Sequence, residues 1–349
     1  MKIDVFTHVL PKAYDEAVHR RIARDKLIDA RGTERAVGHV SRSVWDMDFR
    51  CSIMDRYEGL VHVLTPTNRP LELIASPADA AYLARIYNDE MAKLVAKYPQ
   101  RFVAAVAILP MNNVAAALSE IDRAIGQLGL KGILIHTPVY DQSLERWKPM
   151  DAPEFIPIYE RMAHHDLPIW IHPRREPSRA DFTNVDWPGY AINHIFGWPY
   201  ETTVAMARLV FSGILEKYPS LKFITHHCGA MVPYFADRII GAQGFWETTY
   251  GVKFAENLTR PPIEYFRMFY NDTAIYGNTP ALMNGYAFFG VEHLLFGTDF
   301  PFDDASGDTF TRDTIAAVQR MNIPAADMDS IFLGNARRLL KLERVMNLR

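Results

Sequence analysis

The 349 residues carry 49% apolar and 23% charged side chains, an ordinary balance that excludes a disordered chain. Thirty-eight Lys+Arg against 41 Asp+Glu leave a net charge of -3, which offers no overall positive field to nucleic acid. No apolar run is long enough to cross a bilayer, and two widely separated cysteines, Cys51 and Cys228, suit free thiols rather than a disulfide framework.

Met1-Lys2-Ile3-Asp4-Val5-Phe6 enters an apolar strand at once, so no secretory leader is expected. The expected protein is cytoplasmic, with no nucleic-acid or membrane partner.

Eight short apolar runs follow one another: Ile3 to Phe6, Leu60 to Leu64, Phe102 to Leu109, Gly132 to Ile135, Pro168 to Ile171, Leu221 to Thr225, Met268 to Tyr270 and Leu294 to Gly297. They are apolar on consecutive positions, the pattern of parallel strands buried on both faces. Between them, Leu83, Ile86, Tyr87, Met91, Leu94 and Val95 form one helical stripe, and Val114, Leu118, Ile121, Ile125 and Leu128 another. Alternating strands and helices predict an α/β fold, and eight strands are what a (β/α)8 TIM barrel requires. One domain over residues 1–349 is expected. Two connections are long, Pro11 to Met47 after strand 1 and Arg174 to Tyr200 after strand 5, and are candidates for substrate walls, a lid or dimer contacts.

The polar residues favour closure over an open sheet. His8, His172, His227 and Asp299 fall just after runs one, five, six and eight, and a barrel brings the C-terminal ends of its strands together. Histidine and carboxylate donors converging with one position open make a catalytic metal site. Each is ambiguous alone: His172 could be a core histidine bonded to a carbonyl, and Asp299, before Phe300-Pro301, a turn residue. Of the adjacent His226 and His227, strand alternation should turn only one inward. His227 is chosen, with His226 left to packing or to support. Asp272 could be a helix N-cap or a pocket wall and is left out of the site.

The chain resembles the amidohydrolase superfamily, in the branch of aminocarboxymuconate semialdehyde decarboxylase and related non-oxidative decarboxylases. The carriers are Lys2-Ile3-Asp4-Val5-Phe6-Thr7-His8-Val9-Leu10-Pro11-Lys12, Met54-Asp55, Pro168-Ile169-Trp170-Ile171-His172-Pro173, Gly197-Trp198-Pro199-Tyr200-Glu201-Thr202-Thr203, His227-Cys228-Gly229-Ala230, Gly297-Thr298-Asp299-Phe300-Pro301 and Gly334-Asn335-Ala336. The resemblance implies a divalent ion, zinc or else manganese, held by a His-x-His pair after strand one, by the strand-five His and by the strand-eight Asp. Carried over, His8, His172 and Asp299 are ligands, and His227 and Asp299 are the catalytic acid/base groups. Phe6 stands where the first His of the pair would be, so one protein ligand is missing.

Arg50 matches a position that can take a substrate carboxylate, with a surface helix position as the alternative. Trp198 and Phe302 are candidate aromatic walls. The expected activity is metal-assisted decarboxylation of an aromatic or conjugated carboxylic acid, by a homodimer or higher homo-oligomer. Hydrolysis or hydration on the same site, or a degenerate barrel that only binds, are the alternatives.

Overall fold

The computed structural model describes residues 1–27, 41–67, 69–174, 181–182, 184–185 and 189–342. Among them the strands are β1 (Lys2–Val9), β2 (Leu60–Pro66), β3 (Phe102–Ala105), β4 (Ala107–Ile108), β5 (Ile133–Thr137), β6 (Val139–Asp141), β7 (Arg146–Lys148), β8 (Ile169–Pro173), β9 (Phe223–Thr225) and β10 (Tyr270–Asn271). The order β1-β2-β3 forms one sheet and β10-β9-β8-β5-β4 a second, with every pairing parallel. Among the described residues only the hairpin β6-β7 is antiparallel. The fold is α/β with parallel sheets, and β1, β2, β5 and β8 are buried on both faces, with Lys2 alone partly exposed.

The expected run from Phe102 to Leu109 splits in two because its partner changes at Val106. Val106 N–H donates to Leu64 O at 2.9 Å, whereas Ala107 N–H donates to Gly132 O at 2.9 Å. The run from Leu294 to Gly297, expected as the eighth strand, is not a regular strand. It touches both sheets, through Leu295 N–H to Asn271 O (2.8 Å) and Val5 N–H to Phe296 O (2.9 Å), with isolated parallel bridges Asn271–Leu294 and Thr7–Phe300. Its own donors go elsewhere: Phe296 N–H to Ile331 O (2.9 Å) and Gly297 N–H to the Thr273 hydroxyl (3.0 Å). Gly297 is required by close approach, since a Cβ there would lie 2.9 Å from that of Asp272.

The strand layer separates two cores. One gathers Val5, Val63, Val106, Leu134, Trp170, Ile224 and Leu295 from successive strands and runs, and Trp170 Nε1–H reaches across it to Val5 O at 3.0 Å. The other lies between strands and helices. There the helix Pro77–Lys97 buries Leu83, Tyr87 and Met91 and starts six residues before the apolar stripe, because Ser76 caps it and Pro77 fits its first position. The helix Val114–Gly126 is capped by Asn113 and buries Ala117, Ile121 and Ala124.

The first long connection holds the helices Lys12–Arg21 and Arg24–Leu27 and the turn Arg42–Val44. Much of the second lies outside the described residues, and its end, Asn193–Gly197, winds as a π-helical turn into the helix Trp198–Phe211.

Glu72, in the turn of helix Leu71–Ile74, is 2% exposed. Burial pushes its carboxyl from 4.5 up to about 7, against its own backbone N–H and Arg174. Between those values the folded chain keeps a proton that the unfolded chain has released, so stability falls as pH rises through that window. Glu72→Gln lacks this term. Its unfolding free energy relative to wild type should therefore rise by about 3 kcal/mol between roughly pH 4.5 and pH 8 in urea titrations. A difference that does not change with pH would show that Glu72 stays ionised throughout.

Candidate metal centre and active site

Parallel strands deliver polar side chains to one end of the sheet. His8 lies in register with Thr65 near the end of β1, and His172 with His136 near the end of β8. His226 and His227 follow directly after β9, Asp272 follows β10, and Asp299 follows the Leu294 to Gly297 run. All six are buried.

In three histidines the Nδ1 edge is fixed by an oxygen that can only accept. His8 Nδ1–H donates to Pro66 O (2.5 Å), His172 Nδ1–H to Pro173 O (2.9 Å) and His226 Nδ1–H to the Asp272 carboxylate. Nε2 of each is thereby the atom left to face a cation, and such outer partners fix the tautomer of a metal-binding imidazole. The donor atoms of His8, His172 and His226 lie within 4.8 Å of one another, as do those of His226, His227 and Asp299. Asp299 Oδ1 joins the two groups, 3.1 Å from His8 Nε2 and 3.3 Å from His226 Nε2. Three imidazoles and a carboxylate, locked and facing one another, fit a divalent ion.

The electrostatics follow from burial. His172 is held well below the ordinary imidazole range by desolvation and by the neighbouring His8, which leaves it neutral, as a ligand must be. His227 is likewise depressed, first by burial and then by His226. Burial also opposes a charge on His226, but Asp272 and Asp299 outweigh it and raise it to about 10. For Asp299 burial would raise the carboxyl, yet His226 and His8 hold it well below the usual range.

Its supports are backbone devices. Asp299 has φ +66°, and His227, Cys228, Gly229 and Ala230 all have positive φ, which turns the chain away from β9. Asp272 Oδ1 accepts from Cys228 N–H (3.2 Å) and Ala274 N–H (3.0 Å) and so ties that turn to β10. The buried Asp4 accepts from Phe6 N–H (3.2 Å), Thr298 N–H (3.1 Å) and the Thr298 hydroxyl (2.5 Å), which clamps β1 to the segment carrying Asp299.

A protein-family model described as Amidohydrolase matches residues 3–342. The chain belongs to that family. This amidohydrolase is 32% identical over 312 residues to a gamma-resorcylate decarboxylase of Polaromonas sp. (strain JS666 / ATCC BAA-500), covering 87% of this chain and 90% of the relative. It is 27% identical to the 2-amino-3-carboxymuconate-6-semialdehyde decarboxylase of Dictyostelium discoideum, over 86% of this chain and 82% of the relative. Among solved structures, a dihydroxybenzoic acid decarboxylase from Polaromonas sp. JS666, with bound manganese and the inhibitor 2-nitroresorcinol, superimposes with a TM-score of 0.78 at 27% identity, covering 99% of this chain and 98% of the other. The 5-carboxyvanillate decarboxylase of Sphingomonas paucimobilis gives 0.80 at 26% identity, over 98% and 99%.

The structure brings His8, His172, His227 and Asp299 of this amidohydrolase together. The Phe302 ring lies 5.1 Å from that of His8 and the Trp198 ring 6.1 Å from that of His172, both half-buried beside the donors. Arg50 is not on the surface: it is fully buried and donates to His8 O (2.7 Å), Ser43 O (3.3 Å) and His62 Nδ1 (3.0 Å), under the Phe300 ring. The expected opposition of His226 and His227 does not hold. Their ring centroids are 3.9 Å apart, because β9 ends at Thr225 and the positive φ of His227 breaks the alternation. Asp272, set aside on sequence grounds, is fully buried against His226. Its signal was the one that marked the others, an acid just after a short apolar run.

Proposed function

We propose that the chain is a metal-dependent non-oxidative decarboxylase of an aromatic carboxylic acid, built as a single (β/α)8 barrel domain. The observation that carries this is the cluster of three Nδ1-locked histidines at the strand ends, two of which, His8 and His226, bring Nε2 to within 3.1 Å and 3.3 Å of Asp299 Oδ1. The relatives named above, all decarboxylases, favour this reaction over others on the same scaffold. The barrel reading is supported by the inner core, by the Trp170–Val5 bond across it and by the bridges through Leu294 and Phe300.

His8, His172 and Asp299 hold the ion, zinc or manganese. When bound, it supplies a fixed positive charge that orients and polarises the substrate's oxygen atoms. Phe302, Trp198 and Tyr276 wall the mouth against water, Tyr276 bonding to His194, whose ring packs on Trp198. The carbon–carbon bond to the carboxylate breaks, CO₂ leaves, and the electron pair left on the ring carbon takes one proton. Asp299 and His227 are the groups placed to pass that proton from solvent.

Hydroxybenzoates with an ortho hydroxyl should release CO₂ in one-to-one ratio with the decarboxylated phenol, and dialysis against a chelator should remove the activity. A metal-loaded protein silent on that panel, which instead incorporates solvent ¹⁸O into an amide or lactone product, would favour the hydrolase alternative.

The helix Ala236–Tyr250 buries none of its residues, and Phe245, Trp246 and Tyr250 on it, with the adjacent Tyr234, are exposed. We assign this surface to a second copy of the chain, so light scattering should give a dimer or larger; a monomer at micromolar concentration would reject the assignment. Among the described residues no helix is long and apolar enough to cross a membrane. Free Cys51 and Cys228 support a reducing, cytoplasmic setting, in which both should stay titratable by a thiol reagent after denaturation; a disulfide in the native protein would contradict it.

A further inference from the structure

Phe6 cannot bind a metal, and what its ring touches shows how the centre accommodates it. It stacks on His226 with centroids 4.0 Å apart and planes 14° apart, while the His8 and His172 rings lie 5.5 Å and 5.9 Å away. The apolar ring thus sits among three imidazoles and backs one of them. We propose that His226 is itself a metal ligand in this chain, supplying the nitrogen that residue 6 does not. The inference rests on the metal-dependent reading above.

Three further observations support it. The donor atoms of His226, His8 and His172 lie within 4.8 Å of one another, so a nitrogen of His226 belongs to the same buried donor cluster as the two other histidines. His226 Nδ1–H is committed to Asp272, which is fully buried and anchored by Cys228 N–H and Ala274 N–H. That is the carboxylate–histidine–metal arrangement, which orients a ring and strengthens its other nitrogen as a donor. Finally, His226 Nε2 is buried with no hydrogen-bond partner, although Asp299 Oδ1 lies 3.3 Å away outside bonding geometry. A buried nitrogen aimed into a donor cluster is otherwise costly, and a bound ion satisfies it. The ligand set becomes His8, His172, His226 and Asp299. His227, whose Nδ1 is also buried without a partner, is left free to move a proton.

The test is Co²⁺ binding to the full chain, read by chelator competition and by the visible d–d spectrum rather than by turnover. Wild type should bind one equivalent, and His172→Ala should lose it. His226→Gln should weaken binding by at least about tenfold and alter the spectrum, and Asp272→Asn should weaken it about 10–100-fold through the loss of the orienting carboxylate. Adding Phe6→His to His226→Gln should restore binding to within a few-fold of wild type, a rescue that a purely structural His226 would not allow. Wild-type affinity and spectrum in His226→Gln, with His172→Ala empty, would overturn the inference and leave the metal-dependent reading standing. Should His226→Gln fail to fold, Asp272→Asn decides by the same criteria. A wild-type protein that binds neither Co²⁺ nor Zn²⁺ would overturn both.

Discussion

Asp299→Asn is expected to lower decarboxylation by at least about a thousandfold while leaving the fold intact. Asp299 Oδ1 lies 3.1 Å from His8 Nε2 and 3.3 Å from His226 Nε2, and the same carboxylate is placed to carry the proton. General acid–base catalysis alone contributes roughly 10²–10⁴-fold, and removing the charge also weakens the hold on a cation. The substitution is a clean probe because asparagine tolerates the left-handed backbone, φ +66°, better than other residues with a side chain. Circular dichroism should be unchanged, metal affinity should fall, and kcat should carry most of the loss. A variant within tenfold of wild type at saturating metal would remove Asp299 from the proton path.

How much of this was legible in the sequence depends on whether a residue's role is set by its own strand or by a distant one. His8, His172 and Asp299 could be grouped because parallel strands deliver their last residues to one rim, and each follows an apolar run in the chain. The choice between His226 and His227 failed as an argument because the period of two applies only while the strand lasts, and β9 stops at Thr225. Asp272 is a similar case. Its function comes from a partner 46 residues earlier, across two adjacent strands, and no local pattern records that pairing. The absence of a histidine at position 6 was visible, but what Phe6 packs against was not, since the stacked ring belongs to the end of another strand. The last run misled for a different reason: it is apolar like a strand, yet Thr273 and Ile331 take the hydrogen bonds that would have made it one.

Arg50→Ala is expected to destabilise the protein by about 3–5 kcal/mol, which sets it apart from a residue that only greets a substrate. A guanidinium reserved for a substrate carboxylate would keep donors free in the pocket. Arg50 instead spends its donors on His8 O, Ser43 O and His62 Nδ1, lies over Phe300 at 4.5 Å, and is fully buried. Truncation would leave two buried carbonyls without their donor and open a cavity beside Phe102 and Phe300. Because His8 O belongs to a proposed ligand residue, the loss should reach the metal as well, through the backbone of β1 and not through the substrate. Urea unfolding of the metal-free variant isolates the structural part, and metal titration of the folded fraction gives the rest. If Arg50→Ala unfolded within about 1 kcal/mol of wild type and raised KM for the carboxylate without changing metal affinity, the guanidinium would have to turn toward the substrate during catalysis, and the carboxylate-binding role expected from the sequence would be the right one.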